Sequence, residues 1–209
     1  YDRALEFYRS AEGISDWSDD QGRQVLYLLM GNAAGKNKQT EVAKGYYEKS
    51  LVIDPEYARP MIGLGSVYYH QSIAPFEASK VPTDTDQSLL NQAIDSYQQA
   101  LKAAHQPELA DISTKVHFGL GQAYFMRFYS RQVPTANAAA GEFKQVIDAY
   151  GNGVNPRVKE IAIESHAMLA LIYSLSDHIG EAIYEYQTAL ALTDDAQKKT
   201  QFEERIEKL

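Results

Sequence analysis

The residues of this sequence best suited to acid–base chemistry or metal ligation are five histidines, His70, His105, His117, His166 and His178. No two stand at His-x-x-x-His spacing, and no Glu accompanies a pair as in a zinc-protease helix. Gly63-Leu-Gly65 and Gly119-Leu-Gly121 look like pieces of a phosphate-cradling loop. Both fall inside helical periodicity and neither follows a strand, so neither reads as a nucleotide site. There is no Gly-Lys-Ser/Thr loop and no Gly-x-Ser-x-Gly elbow. The absence of Cys removes disulfides, zinc–thiolate sites and cysteine nucleophiles. Asp16, Asp19 and Asp20 gather around Trp17 between Gly13 and Gly22, without the alternation and closing Glu of a calcium loop. That stretch reads as a solvated loop with Trp17 folded onto neighbouring helices. The sequence predicts no catalytic residues, no metal and no cofactor: the chain reads as non-enzymatic.

The elements around these residues are helices of a repeating kind. Small, aromatic and small residues recur at helical spacing as Ala43, Tyr47, Ser50, then Ala93, Tyr97, Ala100, then Ala139, Phe143, Val146, then Ala182, Tyr186, Ala189. A weaker copy, Ala4, Tyr8, Ala11, opens the chain. Before each full copy stands a second signature: Tyr27, Met30, Gly31, Ala34; Met61, Leu64, Gly65, Tyr68; His117, Leu120, Gly121, Tyr124; and His166, Leu169, Ala170, Tyr173. Within each set the residues share one helical face, and the Gly or Ala admits a close neighbour. His117 and His166 therefore read as packed structural histidines. Asp54-Pro55 ends one helix and is placed to start the next.

These paired signatures resemble the tetratricopeptide repeat, a 34-residue helix–turn–helix unit. The unit from Gln24 matches with Tyr27, Met30, Gly31, Ala43, Tyr47, Ser50 and Pro55, and departs at Ala34, where Tyr is expected. The resemblance implies an all-α, right-handed α-solenoid of about ten helices. It lays the chain out as one array: a half-repeat and loop over 1–23, then repeats over 24–57, 58–107, 108–157 and 158–194, and a capping helix over 195–209. Repeat 58–107 carries an insertion at about 71–88, where Pro75 and Pro82 are expected to break helix. Repeat 108–157 carries a shorter one at about 130–137. In the last stretch Phe202, Ile206 and Leu209 form an apolar stripe on an otherwise charged helix. Because the chain opens on what looks like the second half of a repeat, it reads as a piece of a longer protein.

In that family the free face of each first helix lines a groove that holds extended peptides or partner helices. Carried onto this sequence, the groove positions include Asn32, Arg59, Ser66, Tyr69, His70, Lys115, Phe118, Gln122 and Phe125. Aromatic residues and Arg are the types that anchor interfaces. On a chain of net charge −8, Arg59 and Lys115 point to an acidic or extended protein or peptide ligand, and the charge disfavours nucleic acid. Only Asn32 and Lys115 match the family's carboxylate clamp for chaperone tails, which disfavours that adaptor role. The expected function is a non-enzymatic protein- or peptide-binding scaffold. The alternative is a regulatory or self-association arm of a larger protein, acting through the inserted loops and the array ends. No apolar run approaches the roughly 18 residues of a membrane span, and the compartment stays open.

Overall fold

A computed structural model of the chain describes residues 1–13, 20–104, 109–130, 134–151 and 158–209. Ten α-helices run through them: α1 (Asp2–Glu12), α2 (Asp20–Lys36), α3 (Thr40–Ile53), α4 (Ala58–Ser79), α5 (Gln87–Ala103), α6 (Leu109–Tyr129), α7 (Ala136–Gly151), α8 (Lys159–Leu175), α9 (Ile179–Leu192) and α10 (Ala196–Glu207). A single 3₁₀ turn at Pro82–Asp84 separates α4 from α5, and no strand occurs among the described residues. The protein is all-α. Trp17, His105 and part of the shorter insertion lie outside the described residues.

The chain divides into two compact units, Tyr1–Val116 and His117–Leu209. In the first, α1 packs on α2, α2 on α3, α3 on α4 and α4 on α5, and α2 also meets α4. In the second, α7 packs on α8, α8 on α9 and α9 on α10, while the edge of Phe118 on α6 meets the ring of Phe143 on α7 at 5.9 Å. Each unit is held by the same interlock of glycine and aromatic ring. A Cβ at Gly31 would stand 2.5 Å from the ring of Tyr47, one at Gly65 2.7 Å from Tyr97, and one at Gly121 2.8 Å from Phe143. Real Cβ atoms do not approach so closely, so the absent side chain on a first helix is what seats the ring from a second helix. The flanking small residues Ala43, Ser50, Ala93, Ala100, Ala139 and Ala189 are fully buried. Ser50 is tolerated there because its hydroxyl donates to the Gln24 carbonyl at 2.8 Å.

Two helix boundaries differ from the sequence expectation. Asp54 does not open α4: it is the extended residue that ends α3, and its carboxylate accepts from the Glu56 amide at 3.0 Å. The next helix starts at Ala58. A local Asx turn satisfies the side chain before the helix can use it as a cap. Pro75 does not break α4 either, which runs on to Ser79. Pro removes one backbone donor, yet just before it Ser72 and Ile73 are buried, and the Ser72 carbonyl accepts from the Asp86 amide at 2.8 Å. Tertiary burial there outweighs the local rule. Lys80, in the left-handed conformation at φ 62°, ends the helix. At the chain's end Phe202 of α10 packs on Tyr186, with Ile206 and Leu209 beside it.

Candidate ligand-binding cavity

The first unit carries an open cavity of about 900 Å³. Its floor is apolar and comes from Leu28 on α2, Tyr47 on α3, Ile62 and Val67 on α4, and Ile112 on α6. Among the described residues its charged groups are Lys36, Lys38, Arg59, Lys115 and the carboxylate of Glu77, with His70 beside them. Four basic side chains among the described lining residues stand against one acidic one, the reverse of the chain as a whole, whose net charge is −8. The arrangement can desolvate apolar groups of a ligand while holding its negative charges.

Of the sequence-predicted residues, Asn32, Arg59, Ser66, His70 and Lys115 come together as cavity lining. Asn32 is exposed and accepts a hydrogen bond through Oδ1 from the Tyr47 hydroxyl at 3.0 Å. Burial pushes the Tyr47 phenol up to about 12, so it stays a donor at neutral pH. That contact occupies the amide oxygen of Asn32. The ring of Tyr47 lies between Gly31 and Gly63, where added Cβ atoms would stand 2.5 and 2.4 Å from it. Tyr47→Phe should therefore keep the packing and lose only the hydrogen bond, at a cost of about 0.5–1.5 kcal/mol in urea denaturation. A larger loss would mean that the hydroxyl has another task.

Ser66 is half-buried and hydrogen-bonds the Tyr97 phenol, which burial raises and the Ser66 contact lowers. Tyr69 does not line the cavity. It is half-buried with its ring edge-on to His70 at 5.5 Å, and its phenol is pushed up to about 12 by burial and then by the charge of Glu77.

The remaining three predicted residues belong to the second unit. Gln122 is half-buried on α6. Phe118 is half-buried against Phe143. Phe125 is a correction: it is only 6% exposed and stacks on Tyr129 at 5.6 Å, so it is a packing residue with no surface to offer. The repeat register that selected it places the residue one step past the Tyr position, and in this helix that step faces the core.

The same unit holds two buttresses that sequence reasoning met only halfway. His117 Nδ1 lies 2.6 Å from a Glu142 carboxylate oxygen, and His166 Nδ1 lies 2.6 Å from Glu185. Each Glu immediately precedes the aromatic of its second helix, where Tyr46 stands in the first repeat and stacks on Tyr27 at 6.4 Å. The shared register of His and Glu was the available signal. Among the described residues no group of three or more His, Asp or Glu converges to hold a metal ion, and no helix is long and apolar enough to cross a membrane.

No family model matches the sequence, and no curated protein matches it. Solved structures do match. A thermophilic TPR protein of Thermus thermophilus, TTC0263, aligns over 98% of this chain and 89% of its own at 19% identity, with a TM-score of 0.61. YrrB, described as a TPR protein with an unusual peptide-binding site, aligns over 96% of this chain and 100% of its own at 15% identity and a TM-score of 0.39. Yeast Tom70 aligns over 97% of this chain and 42% of its own at 16% identity and a TM-score of 0.48. At such identities it is the fold that is shared, and the first of the three carries that likeness.

Proposed function

From a chain that has the tetratricopeptide-repeat fold, we propose a non-catalytic scaffold that holds an extended, acidic segment of a partner protein in the cavity of the first unit. The observation that carries this reading is the convergence of Arg59 and Lys115, chosen from the sequence as groove cations, with Lys36 and Lys38 around one apolar floor. Arg59 and Lys115 attract the carboxylates, the Asn32 amide donates to a main-chain carbonyl, and Leu28, Ile62 and Val67 take the intervening side chains. The second reading is a self-association arm acting through the insertion and the array ends.

A fluorescein-labelled octapeptide of alternating Glu and Leu tests the first reading by anisotropy, with alternating Lys and Leu as the control. The acidic peptide should bind and the basic one should not. Lys115→Glu and Arg59→Ala should each weaken binding about tenfold, close to 1.4 kcal/mol, with the helical circular dichroism of the folded chain retained. Raising the salt concentration should also weaken it. Equal binding of both peptides, or indifference to both substitutions, would sink the proposal. Light scattering on the same samples reads out self-association.

A further inference from the structure

The insertion at about 71–88 has no place in a minimal repeat, yet the fold uses it to lengthen α4 and bring one more side chain to the cavity. Along α4 the lining residues are Arg59, Ile62, Gly63, Ser66, Val67, His70 and then Glu77, a single stripe at helical spacing. Arg59 and Glu77 are separated by about 27 Å of helix at 1.5 Å per residue, which is roughly the reach of eight extended residues. A helix that stopped at Pro75 would have no residue there.

The extension is tied down. The Ser72 hydroxyl donates to the Tyr69 carbonyl at 2.7 Å, and the Ser72 carbonyl accepts from the Asp86 amide at 2.8 Å. Past the turn, buried Thr85 donates to the Pro82 carbonyl at 2.9 Å. The Asp86 carboxylate then caps α5 by accepting from the Ser88 and Leu89 amides at 2.9 and 3.1 Å. Glu77 is thus carried on a fixed helix and not on a loose loop. Its charge reaches the Tyr69 phenol, which places the carboxylate's influence on the same stretch of α4 as His70.

We infer that Glu77 is a specificity-determining residue, and that the ligand is a peptide of mixed charge, acidic where it meets Arg59 and Lys115 and basic at the position that faces Glu77. This rests on the peptide reading proposed above. A uniformly acidic peptide would bring its last carboxylate towards Glu77, and like charges across an interface suppress the wrong partner. A Lys or Arg at that position removes the repulsion and adds an exposed ion pair, and one such placement also fixes the direction in which the peptide lies.

The test is a Lys scan through the alternating Glu/Leu octapeptide, each Glu replaced in turn, measured by anisotropy on the full chain. One terminal replacement should bind about threefold tighter than the parent, while replacements towards the other end should bind more weakly. Glu77→Gln should abolish that single preference, and Glu77→Lys should invert it, leaving the parent peptide about tenfold tighter than the Lys-bearing one. Asp84→Asn, in the same insertion but outside the cavity lining, should change nothing. A preference that survives Glu77→Gln, or a scan in which every replacement weakens binding, overturns the inference. If Arg59→Ala still weakens the parent peptide in that case, the peptide reading stands and only the role of Glu77 falls. Absence of binding by any peptide overturns both.

Discussion

Replacing Phe143 with Ala should cost about 3–5 kcal/mol, the largest single loss available in the second unit. Phe143 is fully buried. One side of its ring closes on Gly121, where even a methyl group would stand 2.8 Å away, and another meets the edge of Phe118 at 5.9 Å. Truncation removes the whole ring from a wall shaped to it. The neighbouring glycine cannot fill the gap because it has no side chain to move. Collapse would have to come from α6 shifting bodily towards α7, which would also disturb the His117–Glu142 contact at 2.6 Å on the same pair of helices. Urea denaturation followed by circular dichroism measures the loss. A cost below about 1 kcal/mol would show that the unit repacks freely and that the interlock is not what holds it.

The reciprocal change in the first unit adds volume. Gly63→Ala should destabilise by about 1–3 kcal/mol although Ala is the better helix former. The new Cβ would stand 2.4 Å from Tyr47 Cζ, and the opposite side of the same ring is already against Gly31. With both sides occupied the ring has nowhere to swing. Gly45→Ala on α3 is the matched control, since nothing lies within 4 Å of a Cβ built there. It should stabilise by about 0.5–1 kcal/mol through helix propensity alone. The sign of the difference decides the matter: if both substitutions stabilise, Tyr47 is not gripped. A smaller ring partner, Tyr47→Leu, should recover part of the Gly63→Ala loss in the double variant, as expected for residues in contact.

The fold was legible in the sequence because the interlock leaves a mark at both of its ends. Gly31 and Tyr47, Gly65 and Tyr97, Gly121 and Phe143 each pair a missing side chain with a ring, at an offset the chain repeats. The cavity was half legible. Asn32, Arg59, Ser66, His70 and Lys115 lie on the face that the tetratricopeptide resemblance assigns to the groove, located by helical register. Tyr47 was assigned wholly to packing, and nothing local says that its hydroxyl reaches Asn32. Glu77 was hidden by Pro75: a rule about one missing N–H gave way to the burial of Ser72 and Ile73, which only the folded unit provides. Phe125 was misplaced because a groove position and a core position differ by a single step around α6. Glu142 and Glu185 escaped because a carboxylate on a second helix says nothing of a histidine on the first until the two are folded together.

Those two histidine–glutamate contacts stand where Tyr27 stacks on Tyr46 in the first repeat. Three repeats fill this position with a matched pair, whereas the second has Met61 and Ser96 in the same register. A histidine set opposite Tyr46 would lose its carboxylate, and a tyrosine set opposite Glu142 would bury part of an acid without its partner. Single substitutions between the histidine–glutamate and tyrosine–tyrosine pairs pass through a mismatched state. At this seam, then, a carboxylate and its histidine depend on each other, and so do the two stacked tyrosines.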